Sequence, residues 1–113
     1  MKFNADAPLL DRRGQIVRQP VLDSAGAATL ETEVVTHGMI CVAAIDAPLD
    51  GDDKRSPAAV RSAWMLGTRL SAGGSVELTA AEAAELQTRV VKRFALGFAG
   101  PVVVALDGDA PTA

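Results

Sequence analysis

Apolar positions along the chain follow several different rhythms. Over residues 8–19 they come in pairs around a polar turn, with Leu9-Leu10 before "DRRG" and Ile16-Val17 after it. Asp at the first and Gly at the last position of a four-residue turn is a type I signature. The Asp carboxylate can accept turn N–H groups, and Gly takes the left-handed conformation that follows. This pattern predicts a β-hairpin over residues 8–19. The motif then returns: "PLLDRRG" (Pro8 to Gly14) and "PVLDSAG" (Pro20 to Gly26) both read P-[LV]-L-D-x-x-G. The second copy predicts another turn, leading into "AATL". D-x-x-G is common in loops, so chance can also produce such a pair, and two copies are too few for a solenoid.

Residues 29–46, "TLETEVVTHGMICVAAID", admit two readings. As a helix, Thr29 is an N-cap and Glu31 and Glu33 suit the first turns. Leu30, Val34, Gly38, Cys41 and Ile45 then share a face. As strands, the β-branched content is high and Gly38 marks a bend. The length of the apolar stretch favours a helix. Downstream, Ser56-Pro57 is an N-cap followed by proline at the first helical position. The helix it opens puts Val60, Ala63, Trp64, Gly67 and Leu70 on one face and ends at Gly73-Gly74.

The clearest local signal is "VELTAAEAAELQTRVVKRF", residues 76–94. Val76 and Leu78 alternate with polar residues in a short extended lead. Thr79 to Glu82 is a capping box, and Leu78 and Ala83 stand where a hydrophobic staple belongs. Glu82 and Glu85 lie toward the positive end of the helix dipole, and Arg89, Lys92 and Arg93 toward the negative end. Glu85 and Arg89 form an i,i+4 pair worth about 0.3–0.5 kcal/mol on an exposed helix. In the final segment, "GPVVVALDGDAPTA", Pro101 can open a helix whereas three valines suit a strand. Residues 108–113 read as a frayed tail. The architecture expected is therefore α+β and mainly helical: one domain over 1–113, with a hairpin/turn segment at 1–28 and three to four packed helices over 29–107.

Composition narrows the function classes. The 113 residues are 49% hydrophobic and 22% charged, which fits a folded domain rather than disorder. A net charge of −3 gives no overall basic character, so no nucleic-acid partner is expected. Three Phe, one Trp and no Tyr leave little for base stacking and make Trp64 the single large aromatic anchor on offer. The first residues, "MKFNADAPLLD", do not read as a signal peptide, and no apolar run is long enough for a membrane span. One cysteine excludes an internal disulfide and fits a reducing compartment.

Candidate chemistry is thin. His37 and Cys41 stand i,i+4, but Cys41 sits in the apolar run "MICVAAI" and no third group is evident to orient the histidine. A small buried hydrophobe is the better reading. Asp50, Asp52 and Asp53 resemble part of a calcium loop, yet Gly51 is misplaced and Arg61 holds the closing position, so a solvated acidic loop is expected. Arg89, Lys92 and Arg93 read as a solvated helix end rather than a phosphate site. No cofactor, metal ligand set or catalytic constellation is expected. Asp50, Asp52, Asp53, Arg89, Lys92 and Arg93 remain as candidate contacts for a protein partner.

The order of segments resembles a class of small proteins encoded in tailed-phage and prophage genomes. "APLLDRRGQIVRQPVLDSAGAATL", the acidic loop, "SPAAVRSAWMLGTRL", "VELTAAEAAELQTRV" and "GPVVVAL" carry the likeness over roughly residues 6–106. Members of that class run PLLDxxG, a second turn, a TL-led helix, an acidic loop, a Leu/Ala-rich helix, an L-[ST]-xE helix start and a closing PLVV helix. This chain departs from them at "FALGFAGP", where two glycines replace the usual joint. The resemblance implies helix for residues 30–45 and 101–107. It also implies a phage source, and an apolar, Ala/Val-rich chain without candidate chemistry then points to a noncatalytic protein working by protein contact in virion assembly or as a minor virion component, in the host cytoplasm or the particle, with self-association through an exposed helix face expected. The alternative is a small inhibitor of a host defence or transcription complex that presents its acidic loop to a basic partner.

Overall fold

Residues 1–107 are described by a computed structural model. It has a β-hairpin segment followed by packed helices, an α+β arrangement in which helix predominates. The strands are β1 (Lys2–Asn4), β2 (Arg18–Leu22), β3 (Ala28–Val34) and β4 (Ser75–Glu77). The helices are α1 (His37–Asp46), α2 (Pro57–Ser71), α3 (Ala80–Arg93) and α4 (Leu96–Leu106), with a 3-10 turn at Asp52–Lys54.

Both copies of the D-x-x-G motif fold into the same turn. The Asp11 carboxylate accepts the N–H groups of Arg13 (2.8 Å) and Gln15 (3.0 Å), and Asp23 accepts those of Ala25 and Ala27, each at 2.9 Å. Gly14 and Gly26 take positive φ, at 77° and 83°, where a side chain would be strained. The first turn closes a short antiparallel bridge, Leu10 with Ile16, within the expected 8–19 hairpin. The second closes the longer ladder. Arg18 pairs with Val34, Gln19 with Glu33, Pro20 with Thr32 and Leu22 with Ala28. At the base three segments form a ring of backbone bonds: Leu9 N–H to Val35 C=O, Val35 N–H to Val17 C=O, and Val17 N–H to Leu9 C=O.

This hairpin overturns the helix expected from residue 29. The Asp23–Gly26 turn delivers residues 28–34 antiparallel to β2, and cross-strand bonds hold them there. The Arg18 guanidinium donates to Thr32 Oγ1 (2.8 Å), Gln19 to Glu33 (3.0 Å), and Thr29 Oγ1 to the Val21 carbonyl (2.7 Å). Pairing and β-branched content prevail over apolar length. The N-cap is Thr36 rather than Thr29, its hydroxyl accepting the Met39 N–H, and the helix runs only from His37.

Helix α1 is apolar on nearly all sides, as suits a central helix. Gly38, Ile40, Cys41, Ala44 and Ile45 are buried, and α2, α3 and α4 all pack against it. Its amino end lies so close to the first strand that a Cβ on Gly38 would stand 2.8 Å from both the Ala5 Cβ and its carbonyl oxygen. β1 pairs with β4, Phe3 opposite Val76, and both side chains are buried. The capping box of α3 is present in both halves, and the staple residues Leu78 and Ala83 are buried.

Two further expectations need amendment. Helix α2 buries Leu66, Gly67 and Leu70 and half-buries Ala63, so the packed stripe is turned away from the predicted face. Val60 and Trp64 point outward, Trp64 at 70% exposure. The last segment is helix, beginning at Leu96, five residues before Pro101. Ala99, Val102 and Leu106 are buried at helical spacing, and that packing outweighs the strand preference of the three valines. Proline forfeits one hydrogen bond, to a carbonyl at the exposed Gly97. The expected frayed tail lies outside the described residues.

Candidate interaction surface

The six residues singled out by sequence divide into an inward pair and four on the surface. Arg89 is only 4% exposed. It reaches from α3 across the carboxyl end of α1. Its Nε donates to the Ala44 carbonyl (3.2 Å) and its Nη2 to that of Ala47 (3.0 Å). The same guanidinium takes Asp52 in a two-point grip, at 3.1 and 2.8 Å, and touches Glu85 at 3.4 Å. The carbonyls at a helix carboxyl end have no partner within the helix, and a cation there also meets the negative end of the dipole. Arg89 therefore caps α1 and pins the loop that follows it.

Asp52 is the other half of that clamp. The Arg89 hydrogen bond, with a second from the Leu49 N–H at 2.8 Å, holds its carboxyl far below the usual carboxylate range. Arg55 approaches the same carboxylate at 3.6 Å. Neither Arg89 nor Asp52 is thus the solvated partner contact expected from sequence; both are spent internally. Asp50 and Asp53 stay exposed on the loop, and Lys92 and Arg93 stay exposed at the end of α3. The Arg93 guanidinium lies 5.3 Å from the centre of the Phe94 ring. With Arg89 and Asp52 turned onto each other, the six do not form one solvated site.

His37 and Cys41 show no shared hydrogen bond. Cys41 is sealed in the core, and burial pushes its thiol up to about 12, so it is protonated at neutral pH. Burial also lowers the pKa of His37, whose ring centre lies 6.3 Å from that of Phe3. Among the described residues no group of three or more His, Cys, Asp or Glu is placed to hold a metal ion. No described helix is long and apolar enough to cross a membrane.

What sequence reading missed is the amount of apolar surface left uncovered. The β2–β3 hairpin projects as an arm, packing mainly against itself. Leu22 is 62% exposed and Leu30 fully so. The arm contributes to a radius of gyration of 14.5 Å, against about 13 Å for a compact chain of this length. Helix α4 carries no charge along its length, yet Leu96 and Val104 are more than half exposed. Two grooves flank its outer ridge, one toward Leu10 and Arg12, the other toward Val91 and Phe94. A helix apolar all round is normally buried. That signal was present in "LGFAGPVVVAL", but the sequence could not say which side stays open. Comparison of the chain with protein-family models, with curated proteins and with solved structures finds no match.

Proposed function

We propose that this chain is a noncatalytic tailed-phage or prophage protein that works by protein–protein contact, in virion assembly or as a minor virion component. The observation that carries the contact reading is the β2–β3 arm. A two-stranded hairpin is marginal in water by itself and gains stability when a face is packed. Here residues 22–33 are all exposed, and Leu30 has nothing over it. An arm anchored by a backbone ring at its base and bare along its length suits docking on a neighbouring subunit. Its unpaired strand edges and exposed leucines together supply main-chain bonds and apolar grip. The resemblance of the chain's segment order to small phage and prophage proteins is what suggests the biological setting.

The inhibitor alternative is weakened by the clamp, because Asp52 is turned onto Arg89 and of the Asp50, Asp52 and Asp53 cluster only Asp50 and Asp53 remain to meet a basic partner. The test is fractionation. The gene is expressed with its phage or prophage, particles and assembly intermediates are purified by density, and the chain is quantified by mass spectrometry. The proposal expects stoichiometric recovery with particles or intermediates, lost in a Leu22→Ser, Leu30→Ser double variant. Recovery instead with a host enzyme complex, sensitive to Asp50→Asn and Asp53→Asn, would favour the inhibitor.

A further inference from the structure

We propose that the outer face of α4 is the interface of a homodimer, two copies packing antiparallel about a two-fold axis that passes beside Gly100. The proposal names one partner within the contact reading above and rests on that reading for its relevance, though its geometry comes from a different part of the molecule.

The face has a defined relief. Leu96, Gly100 and Val104 follow one another at four-residue spacing along the exposed side, forming a low ridge. One groove runs between this ridge and Leu10, the other between it and Val91. A ridge bordered by grooves is what a second helix of the same shape can interlock with. Gly100 sets the closest approach: a Cβ built there meets only the Leu96 Cδ1, at 3.6 Å, so the space above it is open. With the axis at Gly100, residues i and 200−i face one another. Leu96 of one copy meets Val104 of the other, and Gly97 meets Val103.

Charge decides between orientations. The ridge itself is uncharged, and the charged Asp11 and Arg12 line only the groove toward Leu10. The amino end of α4 is flanked by Lys92 and Arg93, whereas Asp107 follows its carboxyl end. Antiparallel packing brings Arg93 of each copy to Asp107 of the other, two ion pairs by symmetry, and sets the helix dipoles head to tail. Parallel packing would set the two basic ends side by side. The four-residue ridge interlocked with its own copy gives a crossing angle of about −50°, and the ion pairs at the two ends need the length of the Arg93 side chain to span it.

Size is also consistent. Leu10, Val91, Leu96 and Val104, at 42, 59, 69 and 52% exposure, present an apolar patch on the order of a few hundred Å². That lies within the range of the largest apolar patch on a typical monomer, roughly 300–600 Å², which is often an interaction surface. The glycines, Pro101 and the charged rim extend it toward the about 800 Å² per partner of a standard interface.

The experiment is mass measurement by size-exclusion chromatography with light scattering, over a dilution series of the full chain. The wild type should give twice the 11.7 kDa chain mass, dissociating at roughly micromolar concentration. Gly100→Gln, a change the monomer has room for, should raise the dissociation constant about 30-fold or more, as for a central contact. Its melting curve in the monomeric range checks that it folds. Arg93→Glu should weaken the dimer about tenfold, the loss being felt twice by symmetry, and Arg93→Glu with Asp107→Arg should recover most of it. A monomeric mass at about 200 µM overturns the proposal, since that is well above any working dissociation constant for a specific pair. So does a dimer indifferent to Gly100→Gln, or a charge reversal that is not rescued. Leu30→Ser should leave the dimer intact. Loss of dimer with arm-dependent particle recovery retained would reject this interface alone, and the reverse result would reject the virion role alone.

Discussion

Replacing Arg89 by Met keeps most of the side chain's length and volume while removing its charge and donors. In the native fold that guanidinium serves three α1-end carbonyls, at Ala44, Ile45 and Ala47, and both oxygens of Asp52. The carboxylate is still partly open to solvent and can rehydrate, so its loss of partner is only part of the cost. The α1 carbonyls are less well placed to find water. A net hydrogen bond to a charged group contributes about 1.5–3 kcal/mol, and removing one member of a buried pair costs about 3–5 kcal/mol. Since part of the network is solvent-accessible, about 3 kcal/mol is the expected loss, or roughly 10–20 °C in melting temperature for a domain of this size. Thermal and urea unfolding by circular dichroism read it directly. Arg89→Lys should recover only part, because an ammonium cannot span the carboxylate and the carbonyls together. Lys92→Ala and Arg93→Ala, on the same helix but exposed, should stay within about 0.5 kcal/mol of the parent. If Arg89→Met melts within about 2 °C of the parent, the clamp does not stabilise the fold.

Other expectations follow from the same packing. Gly38→Ala should cost about 2–3 kcal/mol, because its Cβ meets a neighbouring backbone rather than a flexible side chain; urea midpoints test this. Thr79→Ala removes the side-chain half of the α3 capping box and should cost about 1 kcal/mol, whereas Thr29→Ala should not behave as loss of a helix cap. Acid should destabilise in two stages. His37 is held below its ordinary 6.5, so the unfolded chain binds its proton first and stability falls as pH drops under that value. Asp52 is held below its ordinary 3.8, so its contribution is complete above that pH and is lost as acid protonates it. Urea unfolding at several pH values should show the first stage removed by His37→Gln and the second by Asp52→Asn. Leu30→Ser should leave stability within about 0.5 kcal/mol while removing partner contact.

Elements closed by local rules could be read from the sequence. The α3 start, the Ser56-Pro57 start of α2 and both D-x-x-G turns depend on contacts within a few residues, and each is found where the pattern placed it. Residues 29–34 read as helix from their own apolar pattern, but their state depends on pairing with β2, a partner supplied by the turn rather than by the segment itself. The covered face of α2 is not legible locally, because Leu66 and Trp64 are both apolar and only the position of α1 decides which one is covered. Arg89 looked like an ordinary dipole charge. Its use depends on a carboxylate 37 residues away that the fold brings back across the end of α1. The exposed side of α4 is illegible for the same reason: an all-apolar helix declares that it wants covering, and only the fold shows how much of it remains bare.

The contact claim is tested most directly at Leu30. A photo-crosslinking amino acid placed there, in cells producing the phage particle, samples whatever lies against the arm. The expected result is a discrete crosslinked product with a phage structural protein or with a second copy of this chain, present during assembly and absent when the crosslinker stands at exposed Asp53 instead. No product at position 30, or a product formed only with a host enzyme complex, would contradict it.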